Sequence, residues 1–144
     1  MQISEKGLAL IKQFEQLVLT AYYCPANVLT IGYGHTGPDV HKGLTISADR
    51  ANELLQQDVA RFERCVNANV KSKLNQNQFD ALVSFAFNVG EGAFENSTLL
   101  RAVNRDPNSK EIGNQLSRWV KAKGVRLNGL VKRRLKETIL YYGG

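Results

Sequence analysis

Residues 19–46 read LTAYYCPANVLTIGYGHTGPDVHKGLTI. Six glycines and prolines fall from Pro25 to Gly43, with β-branched and aromatic residues between them. Glycine and proline at that density break helices and make tight turns, while β-branched and aromatic side chains suit a pleated strand. The stretch therefore predicts short antiparallel strands joined by turns. The sequence on either side follows the helical period instead. Upstream, Ser4 can cap a helix in which Leu8, Ile11, Glu15 and Val18 recur at three- and four-residue spacing. Downstream, Ser47 can cap a long helix whose buried stripe is Ala51, Leu55, Phe62 and Val66.

The rest of the chain reads as helices. Leu74, Asn75, Gln78 and Phe79 fit the N′, N-cap, N3 and N4 positions of a capping box with a hydrophobic staple. The following FDALVSFAFNV is apolar almost all round, as a central buried helix is, and Gly90 supplies its stop. Asn96 or Ser97 starts a helix carrying Leu99, Leu100 and Val103, which Asp106-Pro107 ends. Ile112, Leu116, Trp119 and Val120 mark another, stopped at Gly124, and a last basic helix runs from about Gly129 to Tyr142. The fold class is α+β, predominantly α: a small strand-bearing lobe, a long connecting helix and a helical lobe.

Composition narrows the function. The 144 residues suit one domain, and 43% apolar with 22% charged residues is ordinary for a globular protein. No run of ~18 apolar residues is present, so no membrane span is expected. MQISEKGLALIKQF lacks the basic start, apolar stretch and cleavage site of a signal peptide, which points to a cytoplasmic origin. Two cysteines, Cys24 and Cys65, exclude a disulfide-rich scaffold and a four-cysteine zinc site. With His41 the only histidine besides His35, no metal centre is expected. The net charge of +6 is uneven: residues 1–100 carry −2 and residues 101–144 carry +8. A basic face of this kind favours a polyanionic partner or simply keeps the protein soluble. RWVKAKGVRLNGLVKRRLKE shows no helix-turn-helix spacing and few aromatics, so a nucleic-acid partner is not expected.

Three places can carry chemistry. Glu15 on an apolar stripe is where desolvation would favour a protonated carboxyl, the state a general acid needs; a surface glutamate or one paired with arginine is the plainer alternative. Cys24, before Pro25 in a turn, is either a small buried apolar residue, a thiol facing Glu15, or a nucleophile paired with His35 or His41. Glycines alternating with Ile31 and Tyr33 in TIGYGHT mark close approach of a ligand or backbone, although the segment lacks the spacing and lysine of a phosphate-binding loop. His35 reads as a structural histidine held by a carboxylate on the long helix, with Asp58 the expected partner.

Together these pieces resemble the phage endolysin lysozyme family, the two-lobed muramidases of tailed phages. The likeness rests on Glu15, eight residues, Cys24, five residues and Thr30; on AYY at 21–23 and TIGYGHT at 30–36; and on LNQNQFDALVSFAFNVGEGAF, Ser97, Arg118-Trp119 and the arginine-rich last helix. It covers essentially the whole chain. The resemblance implies one lysozyme-like domain over 1–144, with a β-hairpin lobe at about 12–60 and a helical lobe at about 70–144 that also takes the N-terminal helix.

It further implies hydrolysis of the β-1,4 bond between N-acetylmuramic acid and N-acetylglucosamine in peptidoglycan. Glu15 would be the general acid, with Cys24, where the family more often has aspartate, and Thr30 positioning or activating the water, an inverting geometry; Cys24 is then a water positioner, a thiolate base or a covalent nucleophile. Thr36, Phe87, Asn88 and Ser97 match positions lining the family's substrate cleft; packing for Phe87 and helix capping for Ser97 are the alternatives. No cofactor is implied. The implied partners are peptidoglycan glycan strands, the anionic envelope through the basic C-terminal helix, where Lys132, Arg133, Arg134 and Lys136 oppose Leu130, Leu135 and Ile139, and a holin for release. The chain is expected to be a monomer held in the host cytoplasm until release to the wall in the periplasm. A lytic transglycosylase, a cysteine-dependent amidase and a non-catalytic wall- or nucleic-acid-binding protein are the rival readings.

Overall fold

The computed structural model describes residues 1–143 and is mostly helical. Its elements are α1 (Glu5–Phe14), β1 (Val18–Tyr23), β2 (Leu29–Gly32), α2 (Ala48–Asn69), α3 (Gln76–Val89), α4 (Glu91–Glu95), α5 (Thr98–Arg105), α6 (Glu111–Ser117), β3 (Lys121–Ala122), β4 (Val125–Arg126) and α7 (Asn128–Tyr141). They divide into two compact units: Lys12–Arg61, and Met1–Ile11 together with the chain from Phe62 onward.

In the first unit β1 and β2 pair antiparallel, Val18 opposite Gly32 and Tyr23 opposite Leu29, with a bulge between Val18 and Tyr22. The hairpin turn is closed by the Cys24 amide donating to the Val28 carbonyl at 3.0 Å and the Asn27 amide to the Cys24 carbonyl at 2.8 Å. Asn27 sits there at φ 61°, a left-handed conformation that asparagine tolerates better than most residues. After β2 the chain doubles back at once. Ile31 and His35 exchange both backbone hydrogen bonds, at 2.9 and 2.8 Å, across a turn in which Gly32 and Gly34 have φ of 66° and 82°. Residues 44–46 line the other edge of β1, through Ala21 N–H to Leu44 O and Ile46 N–H to Leu19 O. Ile31, Val40 and Leu54 form the core, with Leu29, Leu44 and Ile46 packed against it. Ser47 caps α2 by accepting the Arg50 amide.

The second unit is built around α3, whose residues from Gln78 to Ala86 are all buried. Its start is the capping box read from the sequence, with Asn75 accepting from the Gln78 amide and Gln78 accepting from the Asn75 amide. Helix α7 packs along α3, and α5 and α6 complete the bundle. The N-terminal residues are fastened to this unit: Ile3 N–H donates to Glu63 Oε2 at 2.6 Å, Gln76 Nε2 to Gln2 O at 2.8 Å, and Ser4 through both its amide and its hydroxyl to Asp80. Gly7 permits that approach, since a Cβ there would lie 2.8 Å from Asp80.

Several local expectations are corrected. Helix α1 ends at Phe14, so Glu15 lies in the bend after it and Val18 belongs to β1. The short α4 was unmarked. Helix α6 stops at Ser117; Trp119 instead meets Phe85 edge-on at 5.3 Å, and residues 121–126 form a second hairpin whose turn uses Lys123 at φ 51° and Gly124 at φ 79°. The basic stripe of α7 also differs. Arg133 and Arg134 are buried, while Leu135 and Ile139 are exposed beside Lys132 and Lys136. Among the described residues no helix is long and apolar enough to cross a membrane.

Candidate active site

Six of the residues singled out by sequence lie in the first unit: Glu15, Cys24, Thr30, His35, Thr36 and Asp58. Glu15 is half-buried and turns towards the glycine-rich turn after β2; its Oε2 is 3.7 Å from where a Cβ on Gly34 would stand. Glycine at position 34 thus keeps a side chain from standing against the carboxylate, as close approach of a ligand requires.

Cys24 opens the hairpin turn between β1 and β2, and Thr30 lies on β2 just beyond that turn. The Cys24 thiol is held below its ordinary pKa, chiefly by the backbone N–H of Val28 and further by that of Ala26 and the Thr30 hydroxyl, which together outweigh burial. Each of these donors favours the thiolate. Thr30 is almost fully buried, and its Oγ1 donates to the Val28 carbonyl at 2.8 Å. A hydroxyl has one proton, so Thr30 serves either Val28 O or a Cys24 thiolate at any moment. The pair is thus coupled through one rotatable hydroxyl.

His35 is clamped on both ring nitrogens. Its Nδ1 is 2.8 Å from Asp58 Oδ2 on α2, and its Nε2 is 2.9 Å from Asp39 Oδ2. Two carboxylates on opposite sides suit an imidazolium, because only that form donates from both nitrogens. Burial lowers the histidine's pKa, but the hydrogen bonds and charges of Asp39 and Asp58 more than offset it, and the net shift is upward. His35 in turn holds Asp39 below the usual carboxylate range. Asp39 was missed by sequence reasoning, although its i,i+4 spacing from His35 is a signal. Thr36 follows the clamp and is exposed.

Phe87, Asn88 and Ser97 belong to the second unit, on the last turn of α3 and the start of α5. Phe87 meets Phe62 edge-on at 5.3 Å. Ser97 is a helix cap: it accepts the Leu100 amide at 3.0 Å, donates to Phe94 O at 2.7 Å and is buried, which is the capping role weighed beside substrate contact in the sequence. Asn88 is exposed, and its Oδ1 accepts from Arg134 Nη2 at 2.5 Å. Arg134 belongs to a buried charge cluster that sequence reasoning placed on the surface. Glu137 lies 2.8 Å from Arg134 Nε and 3.3 Å from Arg133 Nε, and accepts from Ser84 Oγ at 2.6 Å. Burial pushes the Glu137 carboxyl up and the Arg134 guanidinium down, so the cluster coheres by mutual pairing in a dry site.

The mostly helical chain with its small hairpin sheet has a lysozyme-like fold. The Phage lysozyme family matches residues 12–137, and the chain belongs to that family. It is 46% identical over its full length to the endolysin of Bacillus phage B103, of which it spans only 55%. It is 43% identical to the endolysin of Acyrthosiphon pisum secondary endosymbiont phage 1, with 98% of each chain covered. The muramidase domain of SpmX from Asticaccaulis excentricus is 38% identical with a TM-score of 0.92 over 99% of both chains.

Proposed function

We propose that the chain is an endolysin that hydrolyses the β-1,4 bond between N-acetylmuramic acid and N-acetylglucosamine. The observation that carries this reading is Glu15, whose carboxylate lies beside Gly34 in the same unit as the coupled Cys24–Thr30 pair. Glu15 delivers a proton to the leaving glycosidic oxygen. Water, held by Cys24 and Thr30, attacks the anomeric carbon from the opposite side, and inversion follows from the room such a water needs. The backbone donors that favour the Cys24 thiolate support it as the group that takes the water's proton. Thr36, Phe87, Asn88 and Ser97 contact the peptidoglycan. His35, Asp39 and Asp58 hold the glycine-rich turn in place.

The chain acts as a monomer, without cofactor or nucleic acid, and reaches the wall from the host cytoplasm through a holin. Attraction to the anionic envelope is carried by Lys132 and Lys136 together with Lys121, Lys123 and Arg126 of the second hairpin, all exposed. The test is mass spectrometry of products from purified peptidoglycan. Reducing-end muropeptides from the wild type, lost in Glu15→Gln, are expected. Anhydro products would reassign the chain to the transglycosylases, and intact activity in Glu15→Gln would refute the role of that carboxylate.

A further inference from the structure

The cluster behind Asn88 has a consequence that rests on the function proposed above. Arg134 is buried, with its guanidinium carbon 5.0 Å from the centre of the Phe85 ring and its Nε on Glu137. With the ring and the carboxylate behind it, the guanidinium directs its Nη2 at Asn88. A guanidinium donates only, so the atom of the Asn88 amide that faces it is the oxygen. The Nδ2 group is therefore the one turned away from Arg134. Asn88 is exposed and, among the described residues, Nδ2 has no partner.

We propose that Arg134 is a positioning residue that fixes Asn88 as an outward hydrogen-bond donor, and that this donor reads an acceptor-only oxygen of peptidoglycan. A free asparagine amide can flip and present either end; this one cannot, and it discriminates against ligand groups that need an acceptor. The charged donor on Oδ1 also polarises the amide and strengthens Nδ2–H as a donor. The acceptor is a carbonyl or a carboxylate. Peptidoglycan carries carbonyls in its N-acetyl groups and carboxylates in its peptide stems.

The deciding variant is Asn88→Asp. It keeps an oxygen on Arg134, with a stronger charge-assisted bond, and replaces the outward donor by an acceptor. KM for peptidoglycan should rise about tenfold or more, the usual consequence of leaving an acceptor unpaired, while the thermal midpoint holds or rises. An unchanged KM would overturn the proposal. Dissociation constants measured in a Glu15→Gln background separate the two acceptor sources. Weaker binding of a peptide-free chitin oligosaccharide identifies the N-acetyl carbonyl, and weaker binding of a disaccharide-peptide alone identifies the carboxylate.

A double-mutant cycle tests the route through Asn88. Arg134→Lys should raise KM in the wild type and add nothing in Asn88→Ala, because the residue it positions is already gone. Additive effects would make Arg134 merely structural. The dissociation constants, unlike KM, do not depend on turnover. A chain that binds these ligands as expected but releases no reducing ends would refute the hydrolytic reading and leave this one standing.

Discussion

Replacing Thr30 by valine separates what its hydroxyl does for the fold from what it does for chemistry. The substitution is nearly isosteric and puts a methyl group into a site that is 4% exposed. It deletes one hydrogen bond, Oγ1 to Val28 O. That carbonyl is not orphaned, because it also accepts the Cys24 amide at 3.0 Å. The cost is then the net value of one neutral hydrogen bond, about 0.5–1.5 kcal/mol. For a domain of this size the thermal midpoint should fall by roughly 2–5 °C. Against a total stability of about 5–15 kcal/mol, the folded fraction at assay temperature is unchanged. Activity has no such cushion. If Thr30 holds the attacking water, misplacing it should lower kcat by about 10²-fold, while Thr30→Ser keeps most of the rate. Initial rates of reducing-end release, with thermal unfolding of the same samples, check both numbers. A Thr30→Val enzyme that loses a few degrees yet keeps kcat within about threefold would show that the hydroxyl serves only the turn.

Three other outcomes follow from the geometry. Iodoacetamide should label Cys24 with a pH midpoint below the ~8.5 of a free thiol, while Cys65, pushed up to about 11 chiefly by burial, stays unlabelled in the folded protein; preferential labelling of Cys65, seen by peptide mapping, would contradict this. The His35 pKa is raised by Asp39 and Asp58 against the pull of burial, so its stabilisation is complete below about 6.5 and is lost as pH rises through the raised value. The thermal midpoint of the wild type should thus fall more steeply from slightly acid to slightly alkaline pH than that of His35→Gln, and parallel profiles would refute the clamp. Ser84→Ala removes a 2.6 Å bond to the buried Glu137 and should cost about 1.5–3 kcal/mol in denaturant unfolding; an unchanged midpoint would mean the hydroxyl does not serve that carboxylate.

Much of the fold was legible because its signals are local. The capping box at Asn75 and Gln78, the cap at Ser97 and the stripe of α2 each lie within a few residues of what they specify. The glycines of TIGYGHT likewise announced a turn that needs positive φ. What failed was local pattern settled by distant partners. Trp119 and Val120 continue the helical spacing of Ile112 and Leu116, yet the chain leaves the helix at Arg118, and Trp119 packs on Phe85 of α3 instead. The second hairpin is two residues per strand and exposed, so it carries no alternation to read. Arg133 and Arg134 looked like a solvated face because periodicity records polarity, not compensation. Glu137, one turn on, and Ser84, far away in sequence, make their burial possible. In the candidate site, residue types pointed to Glu15 and Cys24, and the family resemblance added Thr30. The Val28 amide that tunes the thiol is backbone, and no side-chain pattern reveals it.

The bonds from Gln2, Ile3 and Ser4 to Gln76, Glu63 and Asp80 also set an order of events on the ribosome. Residues Lys12–Arg61 are contiguous and have their own core, so this unit can make its internal contacts once Arg61 has emerged. The leading segment cannot. Ser4 waits for Asp80, 76 residues later, which is about 4–15 s at ~5–20 residues per second. Throughout that interval the apolar side of Leu8, Leu10 and Ile11 has no second unit to pack into. Residues 1–11 are thus secured only after residues 12–61 have been made, and they are a part of the nascent chain that chaperones and proteases meet exposed.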